Sequence, residues 1–247
     1  MASAIPVRAY NGDGSAAAFC ANGLLCLAKY ALDAGLLRDG LFYAETDAGA
    51  MAVRLLDARP DQITAEVSLG PAPPVRSLLL NPVQLLPHLN ALPGDSTNVC
   101  FTEPGVPHCV VFPEPLRPHL RSRRDLREQL AFLEERAQRD GPWLSRHPAF
   151  PEGANVDFVL LPSPSPELLL VPWERGVGLT PASGSGACAA ALAARHMGLE
   201  AAAYAVAMPG GSLTVSIDSG NHLFLRGSAS LICAGALSPG FPGAART

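Results

Sequence analysis

Cys20-Ala21-Asn22-Gly23-Leu24-Leu25-Cys26, running on as Leu27-Ala28-Lys29-Tyr30-Ala31-Leu32 to Gly35, has a counterpart late in the chain. There Ser183-Gly184-Ser185-Gly186-Ala187-Cys188 runs on as Ala189-Ala190-Ala191-Leu192-Ala193-Ala194-Arg195 to Gly198. Both stretches predict a helix: Ala and Leu favour one, and each ends on the kind of glycine that stops one. In both, a small nucleophile-type side chain followed by small residues stands at the helix start. Free backbone N–H groups gather there, and the macrodipole favours an anion. Two such starts facing one another present one group to each face of a bound substrate and cradle its carboxylate. The pair also suggests a chain of two duplicated halves.

With 247 residues, 48% hydrophobic and 16% charged, the chain can bury a core as one large domain or two small ones. A net charge of −4 leaves no basic footprint for nucleic acid, so a small molecule or a protein is the expected partner. Basic residues are nearly all arginine, Lys29 aside. The opening Met1 to Arg8 has no charged segment leading into an apolar one, and no run approaches the about 18 apolar residues of a membrane span. A soluble, cytoplasmic chain is the expectation. Six cysteines (Cys20, Cys26, Cys100, Cys109, Cys188, Cys233) stand without CxxC pairs, which argues against a zinc site or a disulfide framework. Buried, inert thiols are the default reading; Cys20 stands apart from it.

After the first helix, alternating apolar runs predict a meander of strands over 41–46, 51–56 and 63–69. Gly70-Pro71-Ala72-Pro73-Pro74 then breaks the pattern and marks a boundary between halves. Further strands are expected over 99–102 and 109–112, then a helix over 121–139 whose charges alternate in sign, read as a solvated cover. Residues 158–161 and 167–171 read as a hairpin. The second helix follows, then strands over 213–217 and 222–225, a last strand over about 229–234, and a frayed Pro/Gly/Ala tail from Leu237.

Several motifs stand in a fixed order. They are Asn11-Gly12-Asp13-Gly14-Ser15 ahead of Cys20-Ala21-Asn22-Gly23; Pro107-His108-Cys109-Val110; Phe150-Pro151 with Asn155-Val156; and Trp173-Glu174-Arg175-Gly176-Val177-Gly178-Leu179-Thr180 ahead of Ser183-Gly184-Ser185-Gly186. Pro209-Gly210-Gly211 and Leu225-Arg226-Gly227-Ser228-Ala229 come last. In order and approximate spacing they resemble the diaminopimelate epimerase family, from about Ile5 to Ala236. The resemblance implies an α+β fold of two pseudo-symmetric halves, each a mostly antiparallel sheet wrapped around a central helix. Residues 1–70 would form the N-terminal half carrying Cys20, and 71–234 the C-terminal half carrying Ser183. The family carries a further segment ahead of the Asn11 motif, with a Gly-x-Gly-Asn-Asp-type turn that nothing here matches. The first half is therefore expected to be incomplete, with unpaired strand edges. Residues 235–247, a second copy in a homodimer, or coding sequence upstream of Met1 would each remedy that. The implied activity is a cofactor-independent isomerase converting LL- to meso-diaminopimelate in lysine biosynthesis. It takes a small-molecule amino acid, no metal, and no nucleic-acid or membrane partner.

Inverting an α-carbon without a cofactor needs a base on one face and a conjugate acid on the other. By resemblance both are cysteines; Cys20 matches the first and Ser183 occupies the second. A hydroxyl is a far weaker acid than a thiol and needs a neighbouring base to cycle a proton. Three roles stay open for Ser183: a slow or one-way proton relay, exchange or elimination from one face, or the helix cap alone, since serine is a preferred N-cap. Cys188 is no substitute, lying about 140° around the helix axis from Ser183. Asn11, Asn22, Asn155, Glu174 and Arg175 match positions that hold the substrate's amino and carboxylate groups. Ala21, Gly184 and Ser185 belong to the loops that line it, the latter two through backbone N–H groups. Bland readings stand beside these: Asn155 as a turn residue, Glu174-Arg175 as a surface ion pair, His108 as structural support. Ala21 for glycine, Leu25 for arginine and Val106 for asparagine depart from the pattern. They leave two other readings open: a catalytically defective amino-acid-binding or assembly protein of the same fold, and a one-base lyase.

Overall fold

The first repeated stretch folds as α1 (Ala21–Asp33), with Leu24, Leu25, Ala28 and Ala31 buried along one stripe. That is the 3.6-residue pattern of a helix with one apolar face. Just past its end Gly35 takes φ +68, and the Ala34, Gly35 and Leu36 N–H groups close on carbonyls of the last turn, the left-handed stop that glycine supplies. In this computed structural model, residues 3–10, 14–37, 40–80, 97–113, 125–161 and 166–235 are described. The meander expected after α1 forms as β4 (Leu41–Thr46), β5 (Gly49–Ala58) and β6 (Gln62–Pro71), all antiparallel neighbours. Their inward residues Phe42, Ala44, Val53, Ile63, Ala65 and Val67 pack on α1. β1 (Ser3–Pro6) lies parallel beside β4 at the end of the sheet, while β2 (Ala9–Tyr10) and β3 (Ala16–Ala17) make a separate ribbon.

Beyond the proline-rich break come β7 (Arg76–Leu80), β8 (Thr97–Thr102) and β9 (His108–Phe112). Then follow α2 (Leu126–Leu144), β10 (Asn155–Leu160), β11 (Glu167–Glu174) and the short β12 (Gly178–Leu179). The second repeated stretch is α3 (Gly184–His196), followed by β13 (Ala203–Met208), β14 (Gly211–Ile217) and β15 (His222–Ser230). Every residue from Gly186 to Ala194 is buried, because α3 is apolar all round and the strands enclose it. The two faces of the central strands divide cleanly: Val110, Val159, Leu168 and Leu170 pack towards α3, and Val111, Phe158, Leu160, Leu169 and Val171 towards α2. Burial on both faces explains why these strands read as continuous apolar runs.

The strand order is β1-β4-β5-β6-β15-β14-β13-β11-β10-β9-β8-β7, with β12 paired to β11 off that path. Each half thus wraps a mostly antiparallel sheet around one helix, and the two sheets are continuous where β15 pairs with β6 from Ser230↔Gln62 to His222↔Pro71. Among the described residues no helix is long and apolar enough to cross a membrane.

Three expectations need correction. The strands expected over 222–225 and about 229–234 are the single strand β15, which ends at Ser230 and leaves Leu231 and Ile232 exposed. Gly227, between the two expected strands, lies within β15 where a Cβ would sit 2.7 Å from Leu25 and 2.6 Å from Leu213, so the residue is small because α1 crosses there. The helix expected over 121–139 is α2, capped by Asp125, whose carboxylate accepts the Arg127 N–H at 2.8 Å; residues 121–124 lie outside the described residues. Its inner stripe of Leu133, Ala137 and Leu144 is core rather than solvated surface, and Pro142 falls in the last turn without ending it. β7 and β13 had no strand expectation; in β13 alanines alternate with Tyr204, Val206 and Met208, a pattern of low contrast. Of residues 235–247, the candidate completion of the first half, 236–247 lie outside the described residues.

Candidate active site

Cys20 and Ser183 occupy the same local structure in the two halves. Cys20 is the N-cap of α1, with φ −135 and ψ 108, and its Sγ accepts the Gly23 N–H at 3.4 Å. Ser183 is the N-cap of α3, with φ −138 and ψ 121, and its Oγ accepts the Gly186 N–H at 3.1 Å. Extended backbone at the cap with the side chain turned onto the third helical N–H is what both helices need to satisfy an orphan donor. The surroundings differ. Cys20 is exposed, whereas Ser183 is 5% exposed and its own N–H points to Met208 Sδ at 3.4 Å.

The two helix starts meet. A Cβ at Gly184 would lie 2.9 Å from Asn22 Oδ1 and 3.4 Å from Ala21 Cβ, so glycine there is a condition of the close approach. Ala21, although on α1, is buried in the cluster that surrounds α3. The structure thereby brings Ala21 and Asn22, which follow Cys20, against Gly184, which follows Ser183, with Ser185 next on α3. The first N–H groups of both helices, which have no intrahelical partner, gather at this junction. Asn11 lies outside the described residues.

Asn155, Glu174 and Arg175 form a second group, at the ends of β10 and β11. Asn155 Oδ1 accepts the Arg175 backbone N–H at 2.8 Å, and its amide nitrogen lies 3.5 Å from His108 Nε2. Glu174 accepts from the Thr180 hydroxyl at 3.0 Å, and the Arg175 guanidinium donates to the Glu152 carbonyl. Glu174 and Arg175 therefore each engage a third residue, and the adjacent pair does not read as a simple surface ion pair. The loop ahead of His108 reaches the first half: a Cβ at Gly105 would meet the Phe19 ring, next to Cys20, at 2.8 Å.

One residue of this region was missed in the sequence. Asp157 on β10 is fully buried, as is His108, and its Oδ2 lies 2.6 Å from His108 Nδ1. A lone carboxylate within Val156-Asp157-Phe158-Val159-Leu160, at a position facing the central helix, was the available signal. Asp157 also affects its thiol neighbours. Burial first, and the Asp157 charge second, push Cys188 up to about 12 and hold Cys109 well above the ordinary thiol range. Both stay protonated, so neither stands in for a second proton carrier.

A cavity of about 400 Å³ opens beside Cys20, between Val7–Tyr10, Phe19, Leu24, Leu27 and Tyr30. Its lining is largely apolar and does not include Ser183, so it suits a hydrophobic body better than a charged amino acid. Among the described residues no group of three His, Cys, Asp or Glu side chains is placed to hold a metal ion.

A family model described as diaminopimelate epimerase matches residues 100–232. The diaminopimelate epimerase of Desulfitobacterium hafniense is 34% identical over 236 residues, covering 94% of this chain and 77% of that protein. That of a Synechococcus strain is 34% identical over 235 residues, covering 93% and 76%. Among solved structures, a phenazine biosynthesis protein of the PhzF family from Bacillus anthracis superposes with a TM-score of 0.63 at 13% identity, covering 92% of this chain and 78% of that one. A probable proline racemase from Agrobacterium radiobacter superposes with a TM-score of 0.59 at 14% identity, covering 96% and 73%. At such identities the structural likeness speaks for the fold alone. The sequence relatives speak for more: the chain belongs to the diaminopimelate epimerase family of isomerases.

Proposed function

We propose that this protein is a cofactor-independent amino-acid epimerase that interconverts LL- and meso-diaminopimelate, with Cys20 and Ser183 at opposite faces of the α-carbon. The observation that carries the reading is the direct contact of two equivalently capped helix starts at Gly184 and Asn22. A substrate carboxylate at that junction meets free N–H groups from both helices and the positive ends of both macrodipoles. Negative charge develops on that carboxylate as the α-proton leaves, so the same groups stabilise the transition state. Cys20 thiolate removes the proton from one face, and Ser183 supplies one from the other. Asn22 lies against the junction, while Asn155, Glu174 and Arg175 are the polar groups suited to the amino and remaining carboxylate groups. The product would feed lysine synthesis.

The test is deuterium incorporation at the α-carbon of LL-diaminopimelate in D₂O, with Cys20→Ala as control. Exchange with inversion that vanishes in the control sustains the reading; no exchange on this or any other amino acid overturns it. The enclosure of Ser183 and its use as a helix cap favour a second reading, an amino-acid-binding or assembly protein that has lost turnover. Ser183→Cys separates the two. A thiol is more acidic than a hydroxyl by several pH units, so the variant gains turnover sharply if the site is an epimerase and stays inert if it only binds.

A further inference from the structure

Asp157 has a use that the site as described does not give it. Its Oδ2 is taken by His108, but its Oδ1 is buried and, among the described residues, has no hydrogen-bond partner. Leaving a carboxylate oxygen desolvated and unpaired costs stability, so such an atom calls for an explanation. The direction in which it points supplies one. A Cβ built at Gly186 would lie 2.5 Å from Asp157 Oδ1 and 3.1 Å from Ser183 Oγ. Both oxygens border the same small space beneath the first turn of α3, and glycine at 186 keeps that space open.

The neighbours define the state of this carboxylate. Asn155 spends its Oδ1 on the Arg175 N–H, which turns its NH₂ towards His108 Nε2. With Nε2 accepting, His108 carries its proton on Nδ1 and donates it to Asp157 Oδ2. Oδ1 is left as the free basic oxygen. The nearby thiols of Cys109 and Cys188 remain protonated and do not compete with it as proton acceptors.

We propose that Asp157 is the base for Ser183, taking up the hydroxyl proton across this space through one bridging water. When the α-proton is removed on the Ser183 face, the C–H bond breaks and its electron pair stays on the substrate, delocalised into the carboxylate. The proton goes to Oγ while the Ser183 hydroxyl proton passes to Asp157 Oδ1, so one negative charge moves from Asp157 to the substrate. Delivery is the reverse. Asp157 acts on the substrate only through Ser183. The inference rests on the epimerase reading and explains how a hydroxyl serves where a thiol is expected.

The test is a four-chain cycle on LL-diaminopimelate, comparing the natural chain, Asp157→Asn, Ser183→Cys and the double variant. General-base assistance contributes about 10²–10⁴-fold, so Asp157→Asn is expected to lower kcat at least about 100-fold with KM within about threefold. In the Ser183→Cys background the same change leaves kcat within about threefold or raises it, because a thiol ionises without a relay and a neutral amide no longer opposes the thiolate. Equal losses in both backgrounds overturn the proposal, as does a natural chain that is inert while Ser183→Cys turns over. If Ser183→Cys is inert as well, the epimerase reading fails by itself. The contact is then read separately, from the Asp157 ¹³Cγ titration in the natural chain and in Ser183→Ala. A shifted midpoint sustains the Ser183–Asp157 link, and an unchanged one overturns it.

Discussion

Gly23 and Gly186 stand three residues into equivalent helices, each donating its N–H to the capping side chain, yet the structure predicts opposite outcomes for replacing them with alanine. At Gly23 a Cβ would find Cys20 Cβ at 3.4 Å and Sγ at 3.5 Å, ordinary contact. Alanine there is free to express its helix preference of about 1 kcal/mol over glycine. At Gly186 the same Cβ would lie 2.5 Å from Asp157 Oδ1. The carboxylate is fully buried and tied to His108 at 2.6 Å, so it yields only by giving up that bond. Losing a charge-assisted hydrogen bond costs about 1.5–3 kcal/mol, and forcing a methyl into a packed interior costs about 1–3 kcal/mol. Against the same helix gain, Gly186→Ala is destabilised by about 3 kcal/mol, which for a chain of this size lowers Tm by roughly 6–12 °C. Paired thermal melts of the two variants read this directly, with urea unfolding to separate stability from cooperativity. A Gly186→Ala chain as stable as the parent would refute the placement of Asp157 beneath α3, and with it the Ser183 relay.

Gly184→Ala would press Asn22 Oδ1 from 2.9 Å and Leu225 from 3.2 Å, prying the two helix starts apart; small misplacements of reacting groups cost about 100-fold, so kcat is expected to fall at least about tenfold while stability changes by about 1 kcal/mol, read by steady-state kinetics beside melts. His108→Ala leaves the Asp157 carboxylate buried and unpaired, and breaking a buried pair in that way costs about 3–5 kcal/mol; denaturant unfolding checks it, and His108→Ala with Asp157→Ala together should recover part of the loss. Cys188 keeps its proton in the folded chain to about 12 but releases it near the ordinary 9 when unfolded. The folded state therefore loses stability as pH rises from about 9 towards 12, and a Cys188→Ala chain shows a shallower decline over that window. Brief alkylation of the native chain by iodoacetamide near pH 8 should label Cys20 and leave Cys109 and Cys188 unmodified by mass spectrometry.

The helices and the first meander were legible because their local signals and their burial agree. Leu24, Leu25, Ala28 and Ala31 repeat at the helical period and are the residues that α1 buries. Residues 158–161 and 167–171 were readable as a hairpin because both faces of β10 and β11 are covered and their apolar runs are unbroken. β15 was read as two strands, since glycine is depleted in strands, whereas the smallness of Gly227 serves the crossing of α1, a contact distant in sequence. The site divides in the same way. Cys20, Ser183 and the residues after each were marked by cap chemistry, which is written in three or four consecutive positions. Asp157 was not marked, because a carboxylate inside a strand acquires meaning only from the histidine on β9 and the glycine on α3 that face it. Nor did the sequence reveal that Asn155 spends its amide on Arg175 and His108.

The repeat also explains why the two halves tolerate different side chains at one position. A cap must accept an N–H, and a thiolate, a thiol or a hydroxyl all do so; the fold alone does not choose among them. What differs is the charge nearby. Cys20 stands in the open beside a largely apolar cavity, with the positive end of α1 at its sulfur. Ser183 is enclosed and shares a pocket of space with a buried carboxylate. Burial first, and that carboxylate second, already keep Cys109 and Cys188 protonated, and the carboxylate would oppose a thiolate at 183 in the same sense. It attracts the proton of a neutral hydroxyl. Serine rather than cysteine at position 183 and the presence of Asp157 are thus linked by one electrostatic argument. Replacing Asp157 by asparagine should therefore have opposite consequences with serine and with cysteine at position 183.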